Sequence, residues 1–444
     1  MALSGLDIYK LLPKTNCREC GFATCLAFAM ALAKKAVSID KCASLSPEAK
    51  LALEASAQPP IKLITLGSGE HKLEVGNETV MFRHEEKFHR PCGIGFILDD
   101  NLPDAEIIQK LAKINQLQFE RVGELLKVNL VAVRQGEDAA RFAAAVKLVC
   151  ENTRLPLVLI NVDPAGLRPA LEAAKGRRPL VHQVTAENIA LVSVLAKEYV
   201  LPLVVGAPDL EKVSALTSAL SQNGLNDLVL DTGEKSMQEK IWDLTQIRRQ
   251  ALKKSNRSLG YPALVITQKD DPLEEAMEAA AYIAKYASIV LLKGMESWEA
   301  LALLTLRQNI YTDPQKPLQI EPKLYPVGAV TERSPLLVTT NFSLTYYTVL
   351  GEVEASKIPS YILSVDTEGM SVLTAWAAEK FNAEKINSAM QKSAVTEAVK
   401  HKSVVIPGYV AVMSGDLEES TGWQVVVGPK EAAGLPSFLK NLQL

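Results

Sequence analysis

The sequence has no uniformly apolar run of the roughly 20 residues that a membrane-spanning helix requires. Its longest candidate, Cys25 to Ala33, is far shorter and reads as amphipathic. The first residues, from Met1 to Asp7, lack the basic start and apolar core of a secretory signal, so a cytoplasmic location is expected. Neither sign of charge dominates: 48 Lys and Arg stand against 51 Asp and Glu. That balance excludes a basic nucleic-acid footprint and a polybasic membrane anchor, so neither nucleic acid nor membrane is expected as a partner. Histidine is scarce, and its five copies (His71, His84, His89, His182, His401) form no H-E-x-x-H pair. His182 lies in an apolar run and reads as a hydrogen-bonded interior residue. Also missing are G-x-x-x-x-G-K-S/T, a G-x-G-x-x-G opening a helix after a strand, and G-x-S-x-G. Those absences remove the usual nucleotide loops and the serine-hydrolase elbow.

What remains is an ordinary globular composition, 48% apolar and 22% charged, in 444 residues, enough for two or three domains. In a cytoplasmic chain, clustered cysteines point to metal rather than disulfides. Four of the six fall early: Cys17, Cys20, Cys25 and Cys42, spaced C-x2-C-x4-C-x16-C. Three thiolates close together around Gly21 can wrap one group, and the fourth arrives beyond a helix expected from Leu26 to Lys35. Iron–sulfur cubanes take four Cys thiolates and suit this grouping. Structural zinc usually takes two C-x2-C knuckles or mixed Cys and His, and this segment has neither. A [4Fe-4S] cluster is favoured; zinc and a metal-free loop are the alternatives. Cys92 and Cys150 sit beside apolar runs and read as inert core residues.

A helix is expected over Pro47 to Ala57, ending at a boundary at Pro59-Pro60, followed by a hairpin-like connector with runs at Ile61 to Leu66 and Thr79 to Arg83. From Gly93, apolar strands alternate with helical patterns: Gly93 to Leu98, Val128 to Arg134, Leu157 to Val162, Leu180 to Val184, Leu203 to Gly206, Leu228 to Asp231, Ala263 to Thr267 and Ile289 to Lys293. Eight such units fit a closed (β/α)8 barrel covered by helices. Its strand-end polar residues, Asp99, Asp100, Asn161, Asp163, Gln183, Asp231 and Gln268, show no base–nucleophile pairing. The pairs Arg248-Arg249 and Lys253-Lys254 read as a solvated helix face.

Beyond the Pro-rich stretch from Asp313 to Pro326 a second rhythm begins, with strands at Leu336 to Thr340, Ser360 to Val365, Ser403 to Pro407 and Trp423 to Gly428. Helices are expected over Leu344 to Leu350, Met370 to Lys380, Ala383 to Lys392 and Lys430 to Leu442. This describes a small doubly wound, Rossmann-like α/β domain, in which ligands bind at the C-terminal strand ends. The loops there carry amides and small hydroxyls with little charge, suiting a large neutral ligand. The plain alternative is ordinary turns and helix N-caps.

The whole chain resembles the large (gamma) subunit of the corrinoid iron–sulfur protein family of the anaerobic acetyl-CoA (Wood–Ljungdahl) pathway. The resemblance rests on Gly5-Leu-Asp-Ile-Tyr-Lys10 through Cys42, on Asp243-Leu-Thr-Gln-Ile-Arg-Arg249, on Val338 to Tyr347, on Ile358-Pro-Ser-Tyr361, and on Leu363 to Thr367 with Ser371 to Thr374. It implies three domains: a [4Fe-4S] domain (1–58), a TIM barrel with its N-terminal connector (59–320) and a corrinoid-binding domain (321–444). It implies a methyl carrier, whose corrinoid cobalt takes a methyl from methyltetrahydrofolate through a methyltransferase and passes it to acetyl-CoA synthase/CO dehydrogenase. The cluster would return Co(II) to Co(I). A small (delta) subunit would complete the heterodimer. The corrin contacts it implies are Thr340, Tyr346, Gly369, Met370, Ser371, Val372, Leu373, Thr374, Gly408 and Ala433, with Thr374 facing the lower side of cobalt. The sequence lacks the D-x-H-x-x-G motif of many cobalamin domains, and the family likewise leaves cobalt base-off without a protein nitrogen. The competing expectation is an iron–sulfur-dependent barrel enzyme acting on a small substrate.

Overall fold

The computed structural model describes residues 5–33, 36–46, 49–50, 53, 59–161, 166–294 and 296–443. Most of the helix expected over Pro47 to Ala57, the Lys34-Lys35 end of the helix from Leu26, and Val162 with Asp163 lie outside those residues. The chain divides into two compact units, Met1–Phe119 with Leu126–Tyr311, and Glu120–Leu125 with Thr312–Leu444.

In the first unit, helices Gly5–Leu11 and Cys25–Ala33 share a small core of Ile8, Leu12, Phe28 and Ala29. The connector is a true hairpin, but it pairs Ile64–Ser68 with His71–Val75, and Thr79 to Arg83 form no strand. All eight expected barrel strands form: Gly93–Asp99, Leu130–Arg134, Leu157–Ile160, Leu180–Val184, Leu203–Gly206, Leu228–Asp231, Leu264–Ile266 and Ile289–Leu292. Every neighbouring pair is parallel, and the ring closes through the bridge between Leu230 and Ala263. The strands are apolar throughout because barrel interior and helices cover both faces. The surrounding helices start where short polar residues can accept free amides. Asp138 accepts from Ala140 N (2.8 Å), Asp209 from Lys212 N (2.8 Å) and Asp271 from Leu273 N and Glu274 N (3.0 Å each).

One expectation here is corrected. Arg248 does not belong to a solvated face: it is 4% exposed and pairs with Glu78 at 3.0 Å. Its guanidinium lies 4.6 Å from the ring centroids of both Phe88 and Tyr286. Desolvation is tolerated because both charge and ring-face partners come with it.

The second unit holds a five-stranded sheet in the order Leu324–Val327, Ser360–Val365, Leu336–Thr340, Ser403–Ile406, Gln424–Val427. Only the edge strand Leu324–Val327 runs antiparallel. Strand order reverses between Leu336–Thr340 and Ser403–Ile406, which makes that gap the topological switch point. Each face carries its own core, one around Leu336, Val338, Leu363 and Phe381, the other around Leu337, Val353, Ile362 and Leu439. The doubly wound expectation therefore holds, while three helices differ in extent. Ser343–Ser356 runs further than expected. Val372–Ala377 is shorter at both ends, with Glu368 and Gly369 left-handed before it and Glu379 left-handed after it. The last expected helix is a 3-10 turn, Ala432–Gly434, followed by Leu435–Asn441 with Pro436 in its first turn.

Candidate functional site

The cysteine segment first makes a loop with left-handed residues at Lys14, Asn16, Arg18 and Gly21. Asn16 ties that loop to the helix behind it: its side-chain carbonyl accepts from Cys25 N (2.8 Å), and its own amide donates to Cys25 Sγ (3.4 Å). Thr24 caps the helix through Ala27 N (3.1 Å), so Cys25 is the first helical residue, at the end whose free amides favour negative charge. Cys42 arrives from the 3-10 turn Ile39–Lys41. Cys20, Cys25 and Cys42 share one small apolar core, and Cys17 is exposed. Burial pushes the Cys42 thiol up, with charge on Cys20, Cys17 and Cys25 adding to the rise, so the other three sulfurs lie within electrostatic reach of Cys42. Among the described residues, no three His, Cys, Asp or Glu side chains converge tightly enough to hold a single ion. The outer face of Cys25–Ala33 is apolar, not polar as expected, with Leu26 and Met30 exposed. Cys92 is fully buried and its thiol is pushed up to about 12 by that burial; Cys150 is half-buried.

At the barrel strand ends the expected polar residues bind the barrel itself. Asp99 pairs with Arg134 (2.7 Å), Asp100 accepts from Gly136 N (2.9 Å), and Asn161 bonds Gln135. His182 Nε2 meets Asp231 Oδ2 at 2.8 Å, both buried, as expected of an interior histidine. Burial would raise the Asp231 carboxyl, but the His182 bond and charge, with the Gly233 amide, hold it below its ordinary value.

In the second unit the four loops after the parallel strands gather at one sheet edge. Thr340 ends its strand fully buried; Gly369, Met370 and Ser371 follow Ser360–Val365; Val372, Leu373 and Thr374 open the next helix; Gly408 follows Ser403–Ile406; Ala433 lies in the turn after Gln424–Val427. Leu373 and Thr374 are exposed, and the Thr374 hydroxyl lies 3.0 Å from that of Ser371. Tyr346 stands apart from this loop cluster: it is buried between its helix and the sheet, against Tyr325 (4.9 Å) and Tyr347 (5.2 Å). A cleft of about 120 Å³ opens at the switch point, walled by Val338, Thr339, Val372, Tyr409, Pro429 and Leu435. Gly408 is required beside it, since a Cβ there would lie 2.5 Å from Gly428 O. The hydroxyls of Thr339, Thr340 and Ser364 are buried at these strand ends without a hydrogen-bond partner, an arrangement folded chains rarely leave unused. Of the residues that wall the cleft, sequence reasoning named only Val372 as a contact. It also missed Asn341, whose side chain joins three segments.

A family model described as CO dehydrogenase/acetyl-CoA synthase delta subunit matches residues 63–439, and one described as an Fe-S cluster matches residues 12–44. Over 441 residues, 99% of both chains, the sequence is 47% identical to the corrinoid/iron-sulfur protein large subunit of Moorella thermoacetica. It is 36% identical to the acetyl-CoA decarbonylase/synthase complex subunit gamma of Methanothermobacter thermautotrophicus, across 100% of this chain and 99% of that one. Among solved structures, a dihydropteroate synthase of Xanthomonas albilineans matches 57% of this chain and 100% of its own at 16% identity, TM-score 0.40. The chain belongs to the family of corrinoid/iron–sulfur protein large subunits, the gamma subunits of acetyl-CoA decarbonylase/synthase.

Proposed function

We propose that this chain is the corrinoid-holding subunit of a methyl carrier in the acetyl-CoA pathway, with a [4Fe-4S] cluster on Cys17, Cys20, Cys25 and Cys42 and a base-off corrinoid in the second unit. The carrying observation is the sheet edge at the switch point, where a cleft, close-packed glycine and unpartnered hydroxyls meet. When bound, the corrinoid supplies a cobalt that accepts and releases a methyl group, and the cluster supplies the electron that restores its reduced state.

The chain's own residues then have distinct tasks. Thr340, Ser371 and Thr374 offer hydroxyls and Val372 to Thr374 offer first-turn backbone amides to the neutral corrin fringe, which Gly369, Met370, Gly408 and Ala433 border. Leu373 and Trp376 rim the edge with apolar surface that excludes water. Thr374 presents a hydroxyl rather than a nitrogen to the lower face. His401 is held elsewhere: its ring accepts from Ser403 N (3.1 Å) and bonds Ser334 O (3.0 Å), at the opposite end of the Ser403–Ile406 strand. With its one histidine held there, this unit brings no imidazole to the edge, and a bound cobalt would be easier to reduce. The domain division 1–58, 59–320 and 321–444, a cytoplasmic location, a small subunit, a methyltransferase and acetyl-CoA synthase as partners all belong to this reading. Among the described residues no helix is long and apolar enough to cross a membrane.

The test is anaerobic metal analysis and absorption spectroscopy of the complex from its native host. About one cobalt and about four iron per chain are expected. Iron without cobalt would sink the corrinoid reading, and zinc in place of iron would sink the cluster.

A further inference from the structure

Asn341 follows the Leu336–Thr340 strand and is 1% exposed. Its side-chain oxygen accepts three hydrogen bonds: from Thr367 N (2.9 Å), Thr367 Oγ1 (3.0 Å) and Gly369 N (3.0 Å). Its side-chain amide donates to Gln319 Oε1 (3.2 Å) and Asp366 Oδ1 (3.3 Å). Its backbone N–H reaches Val365 O (2.9 Å), and its carbonyl accepts from Ile320 N (2.9 Å). One residue thus fastens the loop 366–371 to the strand beside it and to the segment at 319–320.

That loop needs fastening. Glu368 and Gly369 are both left-handed (φ 56° and 74°), and a Cβ on Gly369 would lie 2.7 Å from Gln319 Cγ. Thr367, the residue Asn341 grips twice, in turn holds Met370: its hydroxyl shares its single proton between Asn341 Oδ1 and Met370 O (3.1 Å), and its carbonyl accepts from Met370 N (3.2 Å). The grip passes from Asn341 through Thr367 to Met370, and so to the start of the helix that carries Thr374. Asparagine suits the place because it accepts on one side and donates on the other.

We propose that Asn341 is a positioning residue for the corrin site, holding the loop 366–371 in the shape that presents Met370, Ser371 and Thr374 to the ligand. This rests on the reading of that loop as a corrin contact. A loop that is competent only part of the time weakens apparent affinity by that fraction.

The experiment uses the full chain with its small subunit, loaded with hydroxocobalamin, in three forms: unchanged, Asn341→Leu and Asn341→Asp. Readouts are amide exchange at 366–374 without corrinoid, hydroxocobalamin affinity, and the Co(II) electron paramagnetic resonance spectrum after loading. Asn341→Leu removes all five side-chain bonds; loop exchange should speed up and affinity fall roughly tenfold or more. Its Co(II) spectrum should broaden, a readout that a purely structural role would leave alone. Asn341→Asp keeps the three accepting bonds, while Gln319 can turn its amide and Asp366 can swing into solvent. It should restore slow exchange and most of the affinity. If Asn341→Leu does not fold, Thr367→Val removes only the hydroxyl links and should show the same changes at smaller size. Unchanged affinity and spectrum despite a loosened loop would overturn the role of Asn341. If corrinoid loading fails to protect 366–374 in the unchanged protein, the site reading itself falls instead.

Discussion

Glu299 sits in the barrel helix Ser297–Tyr311, fully buried, with both carboxyl oxygens lacking a well-formed hydrogen bond. Beside it, Glu275 is saturated with donors: Lys293 N and Gly294 N at 2.8 Å each, and the Thr267 hydroxyl. A Cβ built on Gly294 would lie 2.6 Å from Glu275 Oε2 and 3.3 Å from Glu299 Oε2, so the two carboxyls face one spot. Burial first, then the Glu275 charge, raises the Glu299 pKa to about 7 from an ordinary 4.5. The folded barrel therefore holds a proton that the unfolded chain releases. Below pH ~4.5 both states are protonated and nothing is lost; between ~4.5 and ~7 stability falls with rising pH; above ~7 the loss is complete. At about 1.4 kcal/mol per pH unit, the full loss is about 3 kcal/mol. Glu299→Gln keeps the shape, cannot ionise, and can donate to Glu275. Urea unfolding of the two proteins from pH 5 to 8.5 should give curves that meet near the acid end and separate by about 3 kcal/mol at the alkaline end, the variant being the more stable. Parallel curves, or a variant weaker at every pH, would refute this account of the buried pair.

Cys42→Ala should leave the purified complex with little iron and unchanged cobalt; iron retained at its original level would remove Cys42 from the ligand set. Gly408→Val drives a side chain into the Gly428 carbonyl, so corrinoid loading should drop steeply while iron content stays, read by metal analysis. Arg248→Met leaves Glu78 buried without its cation and should cost about 3 kcal/mol or more in urea unfolding. Replacing Glu78 by Gln in the same chain should recover part of that loss, and an additive double variant would speak against the pair.

The barrel was legible because its signals are local. Parallel strands covered on both faces read as continuous apolar runs, and four of the helices that follow open on a capping Asp or Ser. What escaped was set by distant partners or by weak patterns. Arg248 reads as a surface cation until Glu78, 170 positions away, is brought against it. The edge strand Leu324–Val327 and the hairpin Gln118–Arg121 with Glu124–Lys127 are four residues per strand and mostly exposed or half-exposed, so their sequences show little alternation. The grouped cysteines were plain because three of the four are neighbours in the chain. Asn341 was not, because Gln319, Asp366, Thr367 and Gly369 come from beyond its own segment.

The loops of the second unit posed the harder question, since Ser, Thr, Asn and Asp at strand ends are also what helix starts require. Caps are present and absent in both units: Pro103, Gly166 and Asn188 start barrel helices without a side-chain cap, and Asn382 caps a helix of the second unit. In the barrel, Asp138, Asp209, Ser236 and Asp271 all spend their side chains on free helix amides. In the second unit, the helices after Leu336–Thr340 and Ser360–Val365 begin at Phe342 and Ser371 without any side-chain cap. Ser371 turns instead toward the Thr374 hydroxyl. Thr339, Thr340 and Ser364 keep buried hydroxyls with no partner. Leaving such groups unpaired costs roughly 1 to 3 kcal/mol each, so an edge that carries several has given up stability. A ligand that supplied acceptors and donors along this edge would return it.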